Sequence, residues 1–167
     1  MPEPIEIIDE AIKEHHEIKE NVPLTGAAIT DVEALFLLSR AYAGWSQATT
    51  RELPAKQEQL LQTLTAVERG LKHHWSTEEK VLPSLFGEVL MKAFIFEHNE
   101  IAEQLDIAKS AISGTKLKGL PQTEMLARKT VLQSTINQVM EAIEEHNRHE
   151  ETIFTMIKKT LSPGSPA

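Results

Sequence analysis

The sequence predicts an all-α protein: an antiparallel, up-down four-helix bundle with a broken first helix, built from two repeated helix hairpins. Three observations predict it. Apolar residues recur at helical spacing along most of the chain, and no convincing strand pattern interrupts them. The connections between these stretches are modest in length. Histidine and glutamate also take matching places in the apolar seams of different helices.

The first helix is expected from near Pro4 to about Asn21, with Pro23 and Gly26 interrupting it. It resumes at Asp31, read as an N-cap, through "VEALFLLSRAYAGW". After the connection "SQATTRELP", a second helix runs from about Ala55 to Leu82 and breaks at Pro83. A third spans roughly Ser84 to Ser113 and stops at "SGTKLKGLP". A fourth begins near Thr123 and ends before "SPGSPA". One domain, 1–161, with a flexible tail at 162–167, fits a chain of 167 residues.

Composition narrows the chemistry. The net charge is −8, from 17 Lys and Arg against 25 Asp and Glu, with no basic cluster, so neither a nucleic acid nor an anionic membrane is an expected partner. No apolar run approaches the ~18 residues of a membrane span. The acidic N-terminus lacks the pattern of a signal peptide, and the expected location is cytoplasmic. The chain has no cysteine, so any metal must be held by nitrogen and oxygen.

The seams carry the functional signal. In the second helix the stripe is Leu60, Leu64, Val67, Leu71, His74, Glu78, Val81 and Leu85. In the fourth it is Leu132, Ile136, Val139, Ile143, His146, Glu150, Ile153 and Ile157, offset throughout by 72 residues. Steps of four and three mark both as bundle seams, with His and Glu in core positions. The other helices repeat the device. "EHHEIKE" at 14–20 matches "EHNEIAE" at 97–103 in five of seven residues, which aligns His15 with His98. His15 follows Ile8 and Ala11 on its stripe and precedes Ile18; His98 lies between Met91, Phe94, Ile101 and Leu105.

Residues four apart share a helix face, so His74 with Glu78 and His146 with Glu150 can grip one point. Buried carboxylates and imidazoles are costly unless something cationic neutralises them. The candidate metal ligands are therefore His15, His74, Glu78, His98, His146 and Glu150. Two carboxylates able to bridge and four terminal imidazoles suit a dinuclear site. Imidazole suits iron, zinc, copper or nickel, and carboxylate also admits manganese. The alternative is a metal-free bundle with a buried His–Glu hydrogen-bond network, every group satisfied.

From "EHHE" through "HHWSTEE" and "FEHNE" to "HNRHEE", the chain resembles hemerythrin-like proteins of the HHE cation-binding family. That family's order of a lone His, H-x-x-x-E, a lone His and H-x-x-x-E is met by His15, His74/Glu78, His98 and His146/Glu150. The resemblance implies a bundle around two non-heme iron ions with an oxo or hydroxo bridge (Fe–O–Fe or hydroxo-bridged), zinc or manganese being substitutes. It makes Glu78 and Glu150 the bridging carboxylates. Oxygen-carrying hemerythrins are similar but add a fifth histidine where this chain has Phe94, and their last motif tends to H-x-x-x-x-D. The implied site is more open on one iron.

The expected function is metal-cation binding with a small diatomic or peroxide ligand: reaction with, or sensing of, oxygen, peroxide or nitric oxide. A peroxidase- or catalase-like di-iron enzyme, and a storage or sensing module without turnover, are the alternatives. The remaining polar residues near the motifs are read more blandly. His16 and His73 lie off the seam and are expected at the surface, while His149 could reach the site's edge. Glu14, Glu79, Glu97 and Glu151 are either solvated or orient an imidazole. Trp45, Trp75 and Tyr42 are expected to pack.

Overall fold

A computed structural model describes residues 3–16 and 28–162, the side chains of 14–16 excepted. Five helices account for nearly all of it, and the described residues contain no strand. They are α1 (Pro4–His16), α2 (Asp31–Gln47), α3 (Leu53–Val81), α4 (Pro83–Gly114) and α5 (Gln122–Leu161). The expected end of the first helix at Asn21, the break at Pro23 and Gly26, and the tail after Ser162 lie outside the described residues.

Local chemistry sets the boundaries. Thr30, not Asp31, caps α2: its hydroxyl accepts from the Glu33 amide at 3.1 Å, and the Glu33 carboxylate accepts from the Thr30 amide at 3.2 Å. That reciprocal box satisfies two backbone donors that a helix start otherwise leaves unpaired. The expected cap is thus corrected by one residue, which leaves the Asp31 side chain free for another use. Pro83 ends α3 and opens α4 where its missing amide costs least. Within α4, Gly87 departs from helical geometry at φ 74°, a kink that a side chain would strain.

Packing joins the helices in a closed circuit, α2 against α3, α3 against α4, α4 against α5 and α5 against α2, while α1 lies on α5. A large apolar core contains the seam residues Leu60, Leu64, Val67, Leu71, Leu132, Ile136, Val139 and Ile143, together with Trp45 and Leu105. A second, smaller core is made of Ile8, Leu82, Met91 and Phe154. Along α3 and α5, His74, Glu78, His146 and Glu150 fall between the residues of these two cores.

Beyond that polar layer the seam rotates. Val81 is 40% exposed, whereas Leu82 is 3% exposed. Likewise Ile153 is half-buried and Phe154 buried. The stripes expected through Val81 and Ile153 are therefore displaced by one residue in both repeats. A strict 3.5-residue repeat drifts by about 20° per heptad on a straight 3.6-residue helix. Three heptads of drift move the inward position to the next residue.

One close approach fixes where α2 begins. The Ile29 amide donates to the Gly70 carbonyl at 3.2 Å, and a Cβ on Gly70 would lie 2.6 Å from the Ile29 side chain. Only glycine lets the chain cross α3 this tightly, one helical turn before His74. At the far end of α2, the Trp45 indole donates to the Lys129 carbonyl at 3.2 Å. Lys129 Nζ donates in return to the carbonyls of Ser46 and Ala48, at 2.7 and 3.1 Å.

Candidate metal centre

α3, α4 and α5 bring Glu78, His98, His146 and Glu150 together, with one potential ligand atom from each lying within 4.8 Å of the others. His98, His146 and Glu150 are at most 2% exposed. In each H-x-x-x-E motif the two members meet along the helix: His74 Nε2 lies 2.8 Å from Glu78 Oε1, and His146 Nε2 lies 2.9 Å from Glu150 Oε1. His98 Nε2 is 3.4 Å from Glu78 Oε2 and so links the α4 histidine to the α3 motif. His74 belongs to the site through Glu78 and stands outside the tight group of four. The side chains of His15, His16 and Glu14 lie outside the described residues.

The outer nitrogens of the rings explain their orientation. His98 Nδ1 faces Glu79 Oε1 at 3.1 Å, and His146 Nδ1 faces Glu97 Oε1 at 3.4 Å. An ionised carboxylate only accepts, so each Nδ1 carries a proton and each Nε2 points inward. The roles of Glu79 and Glu97, open in the sequence, are those of orienting partners, the outer-shell arrangement typical of metal-binding histidines. Glu97 also accepts from His149 Nδ1 at 2.7 Å. His149 is half exposed and His73 exposed, so both remain on the rim or outside.

Aromatic rings close the walls. Trp75 stacks on His98, with centroids 4.8 Å apart and planes at 10°. Phe94 meets His146 edge-on at 5.6 Å and stacks on Phe86 at 5.2 Å. Phe94 is buried and fills its side of the site. The space lies elsewhere: a cavity of about 320 Å³ reaches His74 and Glu78 between Ile7, Ala11, Val81 and Phe154. Tyr42 packs on the large core, its hydroxyl 3.5 Å from the Asn137 amide nitrogen. Eleven residues along α2 from Asp31, it stands roughly 16 Å down the helix axis from that residue.

The electrostatics are those of an anionic pocket. Burial alone would depress the imidazoles, but neighbouring carboxylates outweigh it. His74 is raised to about 9 chiefly by Glu78, and His146 to about 9 chiefly by Glu150. Glu150, Glu78 and Glu79 raise His98 to about 10. Without a metal, protons therefore supply the positive charge. They do so with poor geometry, because Nε2 of His98, Nε2 of His146 and Oε2 of Glu78 are buried without an aligned hydrogen bond. Once Nε2 gives up its proton, two imidazoles beside two carboxylates make a donor set that could hold a metal ion.

One group at this site escaped the sequence reading. Asp31, at the start of α2, is 2% exposed. Burial, and next the Glu150 carboxylate, push its carboxyl up to about 7. The motif T-x-x-E over Thr30–Glu33 was the signal available, because it assigns the cap to Thr30 and leaves Asp31 without that role.

Comparison with protein-family models, curated proteins and solved structures finds no match to this chain. No described helix is long and apolar enough to cross a membrane. The functional reading therefore rests on the site itself.

Proposed function

We propose that the protein binds metal cations at a hemerythrin-like, non-heme di-iron centre, and reacts with or senses oxygen, peroxide or nitric oxide there. The observation that carries this reading is the pairing of oriented rings with inward nitrogens: Glu79 and Glu97 hold Nδ1 of His98 and His146, while both buried Nε2 atoms face the motif carboxylates, at 3.4 and 2.9 Å, without an aligned hydrogen bond. A network evolved to be metal-free would satisfy those atoms. In the proposed arrangement α1 and α2 together occupy one position of an antiparallel four-helix bundle. His74, Glu78, His98, His146, Glu150 and His15 would hold the metal, Glu78 and Glu150 supplying the carboxylates.

Iron held by this set would supply one-electron chemistry and an affinity for small oxygen- or nitrogen-containing ligands. The chain's own contribution is to orient the imidazoles, keep Trp75 and Phe94 against them to exclude water, and admit a small ligand beside His74 and Glu78. Metal analysis after expression with ample iron tests the reading. Two ions per chain are expected; a folded, metal-replete protein holding none would overturn it.

A mononuclear centre is the second reading, favoured by the convergence of four ligand atoms within 4.8 Å. One ion per chain, with His74 replaceable at little loss of affinity, would establish it over the dinuclear one. Turnover of hydrogen peroxide by the iron-loaded protein separates an enzyme from a storage or sensing module.

A further inference from the structure

We propose that Asp31 is an additional carboxylate ligand of this centre, making it richer in oxygen donors than the histidine–glutamate motifs alone indicate and suited to a hard divalent or trivalent cation. The inference rests on the metal-binding reading above. Asp31 is 2% exposed, and neither of its carboxylate oxygens has a hydrogen-bond partner. A buried carboxylate with both oxygens unpaired is among the costliest arrangements a fold can retain. The charged groups acting on it most strongly are Glu150, His146, Glu78 and His74, which are the members of both motifs. With Ile29 crossing Gly70 one turn before His74, α2 brings Asp31 within electrostatic reach of a centre otherwise built from α3, α4 and α5, beside rather than inside its tight group of four.

Its placement is also built rather than incidental. The reciprocal box of Thr30 and Glu33 removes the capping duty from Asp31. The Ile29 to Gly70 crossing pins the start of α2 against α3, one turn before His74. A merely structural acid at a helix start would serve the helix dipole equally well from the solvent side. Here it is buried within reach of other carboxylates, where a proton or a cation must neutralise it for the position to be favourable. Three carboxylates then share the pocket, and oxygen-rich sets favour iron or manganese over softer cations.

The experiment uses manganese as the probe on the full chain, with affinity and stoichiometry read by electron paramagnetic resonance. Asp31→Asn keeps the shape and removes the charge. It is expected to weaken manganese binding by at least about ten-fold, the scale set by ligand-supporting groups, while the metal-free variant melts no lower than wild type. Unchanged affinity together with a lower melting point would overturn the proposal and leave Asp31 a helix-terminal charge. A wild type that takes up no manganese or iron would overturn the metal centre itself, a distinct failure.

A second measurement does not depend on the variant. The chain has only three aspartates, Asp9, Asp31 and Asp106. Asp9 and Asp106 have side chains 51% and 67% exposed. With carbon-13 in the aspartate carboxyl groups, manganese binding to the wild type should shift one infrared carboxylate band. A spectrum with no aspartate band moved, at full metal occupancy, would exclude Asp31 as a ligand.

Discussion

His74/Glu78 and His146/Glu150 are the same motif at the same seam position, yet the fold treats them differently. The first pair has side chains 11% exposed at both members, and a cavity opens beside it. The second is 1% exposed at both, with Phe94 edge-on against the imidazole. The difference comes from neighbours, not from the motif. α1 lies on α5 and contributes Ile7 and Ala11 to the cavity wall, while the α5 pair faces α4, whose Phe94 and His98 pack on it. Repetition in a sequence creates equivalent ligands. Packing then makes one side a wall and the other a door.

The largest consequence is for stability without metal. Glu150→Ala leaves the His146 imidazole buried without its nearest carboxylate, a change expected to cost about 3–5 kcal/mol. Glu78→Ala removes a partner that water can partly replace through the cavity, so the expected loss is smaller, roughly 1–3 kcal/mol. Urea unfolding of the two metal-free variants measures both. Equal losses would show that the two pairs are energetically alike and would break the comparison.

A second difference is in pH dependence. His74, His98 and His146 have folded-state values raised from 6.5 to about 9, 10 and 9. Raised imidazoles contribute stability that is fully present below 6.5 and lost as pH rises through 9 to 10. Asp31, raised from 3.8 to about 7, has the same sign: its contribution is present below 3.8 and lost as pH climbs through 7. The metal-free protein should therefore melt progressively lower between pH 6 and pH 10. Manganese should flatten or reverse that slope, because the cation replaces the protons and binds more tightly as they leave. Melting curves across this range, with and without metal, decide it, and two identical slopes would contradict the exchange of proton for metal.

Much of this was legible from residue order. Helical class follows from spacing, and the seam residues Leu60 through Glu78 and Leu132 through Glu150 turn inward as their spacing dictates. Three things were hidden. The rotation from Val81 to Leu82, and from Ile153 to Phe154, accumulates from the mismatch between the heptad and the helical turn and becomes visible only over three heptads. Asp31 was hidden because an acid at a helix start has an ordinary role there, and which of Thr30 and Asp31 takes it depends on backbone geometry. The cavity, too, has no signature in the sequence. It lies between residues of α1, α3 and α5, three elements whose relation no local pattern encodes.

The orienting carboxylates should follow the same asymmetry at smaller scale. Glu97→Gln and Glu79→Gln each weaken the hold on an imidazole and are expected to reduce metal affinity by about ten- to a hundred-fold. Glu97 is 22% exposed and serves both His146 and His149, whereas Glu79 is 38% exposed and, among the described residues, serves His98. Glu97→Gln should thus be the more damaging of the two in a competitive manganese titration. The reverse order would place the more important orienting contact on the open side.

The smallest effect concerns rates alone. Val81 lines the cavity beside His74 and Glu78, while its counterpart in the repeat, Ile153, is not among the cavity-lining residues. Val81→Phe should narrow the door without touching a ligand. Because Val81 is 40% exposed, its stability change should stay within about 0.5 kcal/mol. Uptake of manganese, and its removal by a small chelator, should slow several-fold at unchanged equilibrium affinity. Ile153→Phe adds comparable bulk at the matching place in the other motif and should leave both rates alone. Stopped-flow mixing of the two variants measures the contrast directly. If Ile153→Phe slows exchange and Val81→Phe does not, entry runs along α5 instead, and the assignment of door and wall is inverted.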